Sequence, residues 1–330
     1  MKTMHAGVLA LAALMAAAPA MAQSSAGNGN MTDTNLQQRL AAMVAAHHGK
    51  VALFAKQLNT GKTVALDADT PVPTASVIKL TVLYEAMEQV RAGTAHWDEK
   101  LTLKPGEAVN GSGVLYFFDT PATFTMKDVA TMMIIQSDNT ATNMMIDRFG
   151  VAAVNARSAS IGLKNTYLYK KVSKPPTGPM PADQPKFGLG KTTAREMATV
   201  MEHITRCDLG GPAQPQDMAI CKTALEMLRN QFYRNTIPRY LEKLDTSEEG
   251  SAIGSKTGSL NAVRNDVAVV AGKTGPMIIS IFTYDNTDHG WTADNEGENT
   301  ISKLAQEIVQ AWSPAGLDAK GMVPGLGLAK

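Results

Sequence analysis

Ser76-Val77-Ile78-Lys79, running on into Leu80-Thr81-Val82-Leu83-Tyr84-Glu85-Ala86-Met87, is the stretch on which the reading of this chain turns. Pro71 and Pro73 stand just before it and Thr74 offers an N-cap, so a helix is expected to start here. Ser76 and Lys79 lie three positions apart, which on a helix places them on one face. A lysine in a first helical turn meets the positive end of the macrodipole. Partial burial lowers its pKa further and leaves a neutral amine able to act as a base. A serine hydroxyl is a weak nucleophile until such a base takes its proton. The tetrapeptide alone decides nothing, because an S-x-x-K arises by chance about once in a chain of this length. Its weight comes from what surrounds it.

The 330 residues suffice for one large domain or two lobes sharing a core, and 44% hydrophobic with 18% charged residues is ordinary globular composition. Residues 1–22 differ in kind. Met1-Lys2 is a short positive start, residues 6–18 are uninterruptedly apolar, and Ala20-Met21-Ala22 is an A-x-A cleavage site. That pattern is a secretory signal peptide, cleaved after Ala22 and too short to span a membrane as a mature helix. No cysteine follows its apolar core to carry a lipid, so the mature protein is expected in the periplasm or secreted, with no membrane span. Cleavage removes one lysine and no acid and leaves no net charge, so nothing steers the protein to nucleic acid or an anionic surface. Both cysteines, Cys207 and Cys221, survive cleavage, and an oxidising compartment makes a disulfide between them reasonable. No C-x-x-C or Cys/His cluster suggests a metal, and the six histidines show no ligand spacing.

Working outward, residues 23–34 are polar and Gly-rich and read as a flexible leader. Residues 36–46 read as an amphipathic helix, and 51–58 with 62–66 as a hairpin around Asn59-Thr60-Gly61. The Ser76 helix runs to about residue 92. Thr125-Met126-Lys127-Asp128 resembles a capping box opening a helix that breaks near Gln136-Ser137; a second helix, 140–148, closes at Gly150. Residues 164–191, with Pro175, Pro176, Pro179, Pro181 and Pro185, read as loop, followed by helices over 193–206 and 217–230. Strands return at 252–257, 266–271 and 277–284. Ile301, Leu304, Ala305, Ile308, Val309 and Trp312 then mark a last helix. The expected fold is α/β: an antiparallel sheet flanked by the first and last helices, with an inserted all-helical lobe. Its parts are a sheet lobe over 35–75 and 231–312, a helical lobe over 76–230, and a flexible tail over 313–330.

Two further motifs follow Ser76 and Lys79. Ser137-Asp138-Asn139 falls at the break between helices, and Lys256-Thr257-Gly258, followed by Ser259, ends a strand. S-x-x-K, S-D-N and K-T-G in this order are carried by class A β-lactamases and penicillin-binding proteins. The chain resembles a class A β-lactamase-type serine hydrolase over roughly residues 35–312. Supporting text includes Gly111-Ser112-Gly113-Val114-Leu115, the run from Met132 to Asn143, and Arg264-Asn265-Asp266.

The resemblance, with the chemistry of the residues, implies an acyl-enzyme mechanism without metal or organic cofactor. Ser76 attacks a carbonyl, Lys79 accepts its proton, and the backbone N–H groups of Ser76 and Ser259 hold the oxyanion. Ser137 relays a proton to the leaving nitrogen and Lys256 sets its hydrogen bonding. Asn139 binds the substrate's side-chain amide and steadies Lys79, and Thr257, Ser259 and Arg264 form a pocket for its carboxylate. A second K-T-G, Lys273-Thr274-Gly275, precedes Pro276, which has no N–H to offer an oxyanion, so the Lys256 copy is the functional one.

The implied substrates are small: β-lactams or D-alanyl-D-alanine-like ends of peptidoglycan, taken by a monomer. The pattern departs from the family in one respect. Class A β-lactamases carry a glutamate on the loop after S-D-N that serves deacylation. Here no glutamate occurs from Ala108 to Arg195, and the 164–191 loop holds Tyr167, Tyr169, Lys170, Lys171, Lys174 and a single acid, Asp183. Slow deacylation is therefore expected. Two other readings stay open: a D-alanyl-D-alanine carboxypeptidase-like penicillin-binding protein, and a β-lactam-binding protein that does not turn over.

Overall fold

The computed structural model describes Met1 and residues 31–245, 247–248 and 250–322. Met1 apart, the expected signal peptide lies outside these residues, as do residues 23–30 of the leader and 323–330 of the tail.

In chain order the elements are β1 (Met31–Thr32), α1 (Thr34–Val44), β2 (Lys50–Gln57), β3 (Lys62–Leu66) and β4 (Val72–Pro73). A tight helical turn, Ala75–Ile78, leads directly into α2 (Lys79–Arg91). Then come β5 (Lys100–Leu103), β6 (Ala122–Thr125), α3 (Met126–Ile135), α4 (Asn139–Phe149), α5 (Val151–Ser160), β7 (Tyr167–Leu168), α6 (Gln184–Phe187) and β8 (Gly190–Thr192). The chain finishes with α7 (Ala194–Arg206), α8 (Asp217–Arg229), β9 (Ile253–Leu260), β10 (Val263–Gly272), β11 (Gly275–Tyr284) and α9 (Glu296–Trp312).

The main sheet has the order β1-β3-β2-β11-β10-β9, antiparallel except for the short β1–β3 pair. Hairpin and late strands pair as β2 against β11, from Met277 opposite Gln57 to Tyr284 opposite Lys50. One sheet face packs on α1 and α9, the other on α7: Arg264 meets Glu298 of α9, while Lys56 and Phe54 meet Glu202 and Arg195 of α7. Residues 194–206, assigned to the helical lobe from the sequence, therefore form a layer of the sheet lobe. The inserted lobe is helical with two small sheets at its edge, β5–β6 and β4-β8-β7. Its axis is α2, where every residue from Lys79 to Glu88 is buried, the mark of an internal helix.

Caps behave as side-chain chemistry dictates. Thr125 and Asp128 make the reciprocal capping box, and Thr193 caps α7. Thr74 does not cap the Ser76 segment: it makes no side-chain cap bond, and its buried hydroxyl has no partner. Helix α5 was not anticipated. Its run of Ala and Ser buries little beyond Val154 and Ser158, too weak a stripe to read.

Both ends of the fold are more ordered than the composition suggests. Within the expected leader, Met31 and Thr32 pair with β3, and Asp33 caps α1. The expected flexible tail is folded over residues 313–322. Leu317 bridges Gly272, Asp318 donates to the Ala271 carbonyl, and Leu317, Ala319 and Met322 are buried. Burial of these side chains at the β10–β11 turn outweighs the Gly and Pro content. Cys207, the left-handed cap of α7, is disulfide-bonded to Cys221 in α8, with Cα atoms 5.6 Å apart.

Candidate functional site

Ser76 sits in the tight turn, half-buried, between two backbone commitments. Ala75 is held at φ +44°, a left-handed conformation an alanine adopts only when its surroundings impose it. On the other side is Gly258 of β9. A Cβ added there would lie 2.8 Å from the backbone nitrogens of Ser76 and Val77 and from the Thr74 carbonyl oxygen. None of these atoms can yield, so glycine is what lets the edge strand touch the Ser76 turn. Asn265, opposite Gly258 in the sheet register, reinforces the junction, its side-chain amide donating to the carbonyls of Pro73 and Thr74.

Lys79 opens α2 and is completely buried. Its Nζ donates to the Ser137 carbonyl at 2.6 Å, to Ser137 Oγ at 3.1 Å and to Asn139 Oδ1 at 3.0 Å. Burial holds its pKa well below the ordinary lysine range, and the charge of Lys256 lowers it further, against the opposing pull of Asp138. Lys256, equally buried, donates to Ser137 Oγ at 3.0 Å and to its neighbour's carbonyl on Thr257 at 2.7 Å. Burial pulls it down to about 7, with Asp266 opposing. Two lysines thus converge on one serine oxygen, each made easier to deprotonate by loss of water.

Ser137 is presented by a kink. It stands at φ +54° between α3 and α4, a second non-glycine left-handed residue in the site. Asp138 fixes the kink by capping α4 through the Ala141 N–H and accepting the N–H groups of Val114 and Leu115. The Gly111-Ser112-Gly113 loop lies against it: Ser112 Oγ donates to the Gln136 carbonyl and Asn139 N to the Ser112 carbonyl. Both glycines have positive φ, and a Cβ at Gly113 would strike Asp138.

The structure brings Ser76, Lys79, Ser137, Asn139 and Lys256 together where β9 meets the helical lobe. Thr257 and Ser259 follow Lys256 along the same edge strand, opposite Asp266 and Arg264 in the register. Arg264 is not brought to an open pocket. It is fully buried, its guanidinium donating to the carbonyls of Leu260, Val263 and Gly290 and lying 3.4 Å from Glu298 Oε1. The sequence favoured a carboxylate-binding role because that burial depends on a loop and a helix some thirty residues downstream.

The loop over 164–191 is held against α4. One turn along α4 from Asn139, Asn143 clamps the backbone of Val172 in both directions: Nδ2 donates to its carbonyl at 3.0 Å and Oδ1 accepts its N–H at 2.8 Å. The loop residue fixed one helical turn beyond the partner of Lys79 is therefore a valine. Asp183 is engaged by Lys191 at 2.7 Å and Tyr169 at 3.0 Å, and none of its contacts reaches Ser76, Lys79, Ser137 or Lys256. Asn143, Asn265 and Asp138 stand within the quoted motif text, but the sequence assigned them no role. An Asn one helical turn after a site Asn is the one signal that could have marked Asn143. Among the described residues no group of His, Cys, Asp and Glu could hold a metal ion, and no helix is long and apolar enough to cross a membrane.

A six-stranded, mostly antiparallel sheet beside a helical lobe, with a serine, two buried lysines and a second serine at their junction, has clear counterparts among known proteins. Residues 35–312 match the Beta-lactamase enzyme family, and the chain belongs to that family. It is 23% identical to the Beta-lactamase regulatory protein BlaB of Streptomyces cacaoi, over 71% of this chain and 84% of the relative. It is also 23% identical to Beta-lactamase SME-1 of Serratia marcescens, over 80% of this chain and 84% of the relative. The β-lactamase of Sphaerobacter thermophilus superposes with a TM-score of 0.70 at 27% identity, covering 84% of this chain and 97% of that one. PBP-A superposes with a TM-score of 0.71 at 26% identity, covering 86% and 97%. A mutant of PBP-A, solved as an acyl-enzyme complex with penicillin G, superposes at 0.70.

Proposed function

We propose that this protein is a serine hydrolase acylated at Ser76 by β-lactams or related amides, and that it releases the acyl group slowly. The observation that carries the reading is the convergence of Lys79 and Lys256 on Ser137 Oγ, with Val172 as the loop residue clamped alongside.

In the acylation step neutral Lys79 takes the Ser76 hydroxyl proton as Oγ bonds to the carbonyl carbon. The N–H groups of Ser76 and Ser259 stabilise the oxyanion. As the tetrahedral intermediate collapses, the carbon–nitrogen bond breaks. Ser137 gives its proton to the nitrogen and regains one from the Lys79 ammonium, so the Ser76 proton ends on the leaving group. Asn139 receives the acyl-side amide, and protonated Lys256 with the hydroxyls of Thr257 and Ser259 receives the carboxylate. Arg264 is left out of that contact: it is fully buried, and its guanidinium donates instead to the carbonyls of Leu260, Val263 and Gly290.

Deacylation needs a base for the attacking water. Ring strain assists opening of a β-lactam but not this second step, and valine is the residue offered where the loop is held against α4. Likeness to PBP-A, a mutant of which forms an acyl-enzyme with penicillin G, supports a penicillin-binding variant of the same chemistry, and likeness to the regulatory protein BlaB supports a regulatory one.

Intact mass after mixing with penicillin G, followed over time, tests the reading. A burst of adduct on the Ser76 peptide, persisting for minutes and absent in Ser76→Ala, is expected. Rapid hydrolysis with no adduct, or adduct on another peptide, overturns it.

A further inference from the structure

Resting on that reading, we propose that Trp291 is a specificity-determining residue, forming an aromatic wall beside Ser259 for the group carried on the leaving-nitrogen side of the substrate. Arg264 acts as its support.

Trp291 is an exposed large aromatic, with 66% of its surface open, yet it is held. The Arg264 guanidinium lies 4.5 Å from its ring centroid, and a cation stacked on one indole face leaves the opposite face for a ligand. The guanidinium is itself immobile, bound to the carbonyls of Leu260 and Val263 at the β9–β10 turn and to Gly290 beside the tryptophan. The segment bearing Trp291 is pinned at both ends. Asp288 accepts the N–H groups of Gly290 and Glu296, and Asn295 donates to the carbonyls of Asp288 and Gly290.

Register locates this wall. Arg264 lies directly opposite Ser259, and Leu260, the next residue of β9, is 45% exposed on the same turn. A preorganised aromatic with an exposed leucine at the end of the strand that receives the substrate is a surface for a flat, apolar substituent. Holding it rigid in advance removes the ordering cost that an unsupported tryptophan would bring to binding.

The test compares two cephalosporins, one bearing a 3-styryl group and one a 3-methyl group, in wild type, Trp291→Phe and Trp291→Ala. The ratio of their acylation rates, styryl over methyl, is expected to fall about three- to tenfold in Trp291→Ala and by less in Trp291→Phe. An equal ratio in all three proteins overturns the proposal. A second measurement does not require acylation. Among the three tryptophans only Trp291 is exposed, so the 3-styryl compound is expected to quench emission of Ser76→Ala but not of Ser76→Ala/Trp291→Phe. Equal quenching in both, or none, also overturns it. Absence of any Ser76 adduct with either compound would defeat the acyl-enzyme reading, while the quenching would still decide the role of Trp291.

Discussion

The cleft has two walls built on opposite plans. On one, the nucleophile turn, the Ser137 kink and β9 interlock through backbone contacts too close for a Cβ and through two lysines buried against one hydroxyl. On the other, the 164–191 loop is attached through the Asn143 clamp, and its one acid is neutralised by Lys191 and Tyr169. Two chemical steps that share a covalent intermediate thus receive unequal support. Burial of Lys79 and Lys256 costs stability, and in the proposed mechanism it supplies a base and a proton relay for acylation. Among the described residues of the 164–191 loop the one acid, Asp183, is engaged by Lys191 and Tyr169 instead. Positioned groups rather than the fold set how far the reaction runs.

The largest effect is expected from the first wall. Lys79→Met leaves the apolar surroundings filled and is expected to slow acylation by about 10² to 10⁴, read as adduct formation by stopped-flow or mass. Acylation within threefold of wild type would remove Lys79 from the role of base.

Adding a base to the second wall should reduce the asymmetry. Val172→Glu puts a carboxylate where Asn143 holds the loop beside Asn139, and release of the penicilloyl group is expected to accelerate by about 10². Because the clamp uses only the backbone of Val172, the substitution leaves it intact. Unchanged adduct lifetime, with the fold intact by circular dichroism, would show that the clamp does not present this residue to the ester.

Acidity gives a smaller, graded signal. Lys256 is pulled down to about 7 by burial, so its ammonium is present below that pH and lost above it. Acylation of a carboxylate-bearing β-lactam is therefore expected to decline above pH 7, by up to about tenfold per unit, as the proton leaves. Arginine stays charged throughout this range, so Lys256→Arg, whatever its absolute rate, is expected to lack that limb. A limb of the same position in the variant would assign it to another group.

The smallest effect belongs to Asp183, the single acid of the 164–191 loop. Asp183 is 38% exposed, and the hydrogen bonds from Lys191 and Tyr169 lower its pKa. Asp183→Asn is expected to change adduct lifetime by less than about twofold, since a surface ion pair contributes little. A tenfold longer lifetime would restore it as the base.

Much of the fold could be read directly. The capping box at Thr125, the hairpin around Asn59-Thr60-Gly61 and the last helix rest on local patterns, and each appears within a few residues of where those patterns put it. Local composition misled at 313–322 and at 31–34, where Gly-rich or polar text is anchored by contacts with strands remote in sequence. It was silent on α5, whose buried stripe is slight.

The candidate site divides the same way. Ser76, Lys79, Ser137, Asn139 and Lys256 were legible because their chemistry is tied to short motifs, and the second K-T-G was set aside by the proline that follows it. In the structure Lys273 is exposed in the β10–β11 turn, whereas Lys256 is buried against Ser137. What no motif carries is environment. That Arg264 is buried against three carbonyls and Glu298, that Trp291 stands on it, that Asn143 selects Val172, and that two lysines share one oxygen all follow from contacts between segments distant in sequence. Burial, and with it the acidity of the lysines and the availability of the arginine, is a property of the packed molecule. The sequence by itself determined which functional groups are present and which local elements carry them; tertiary structure decided which of those groups lost their water and which were already bonded.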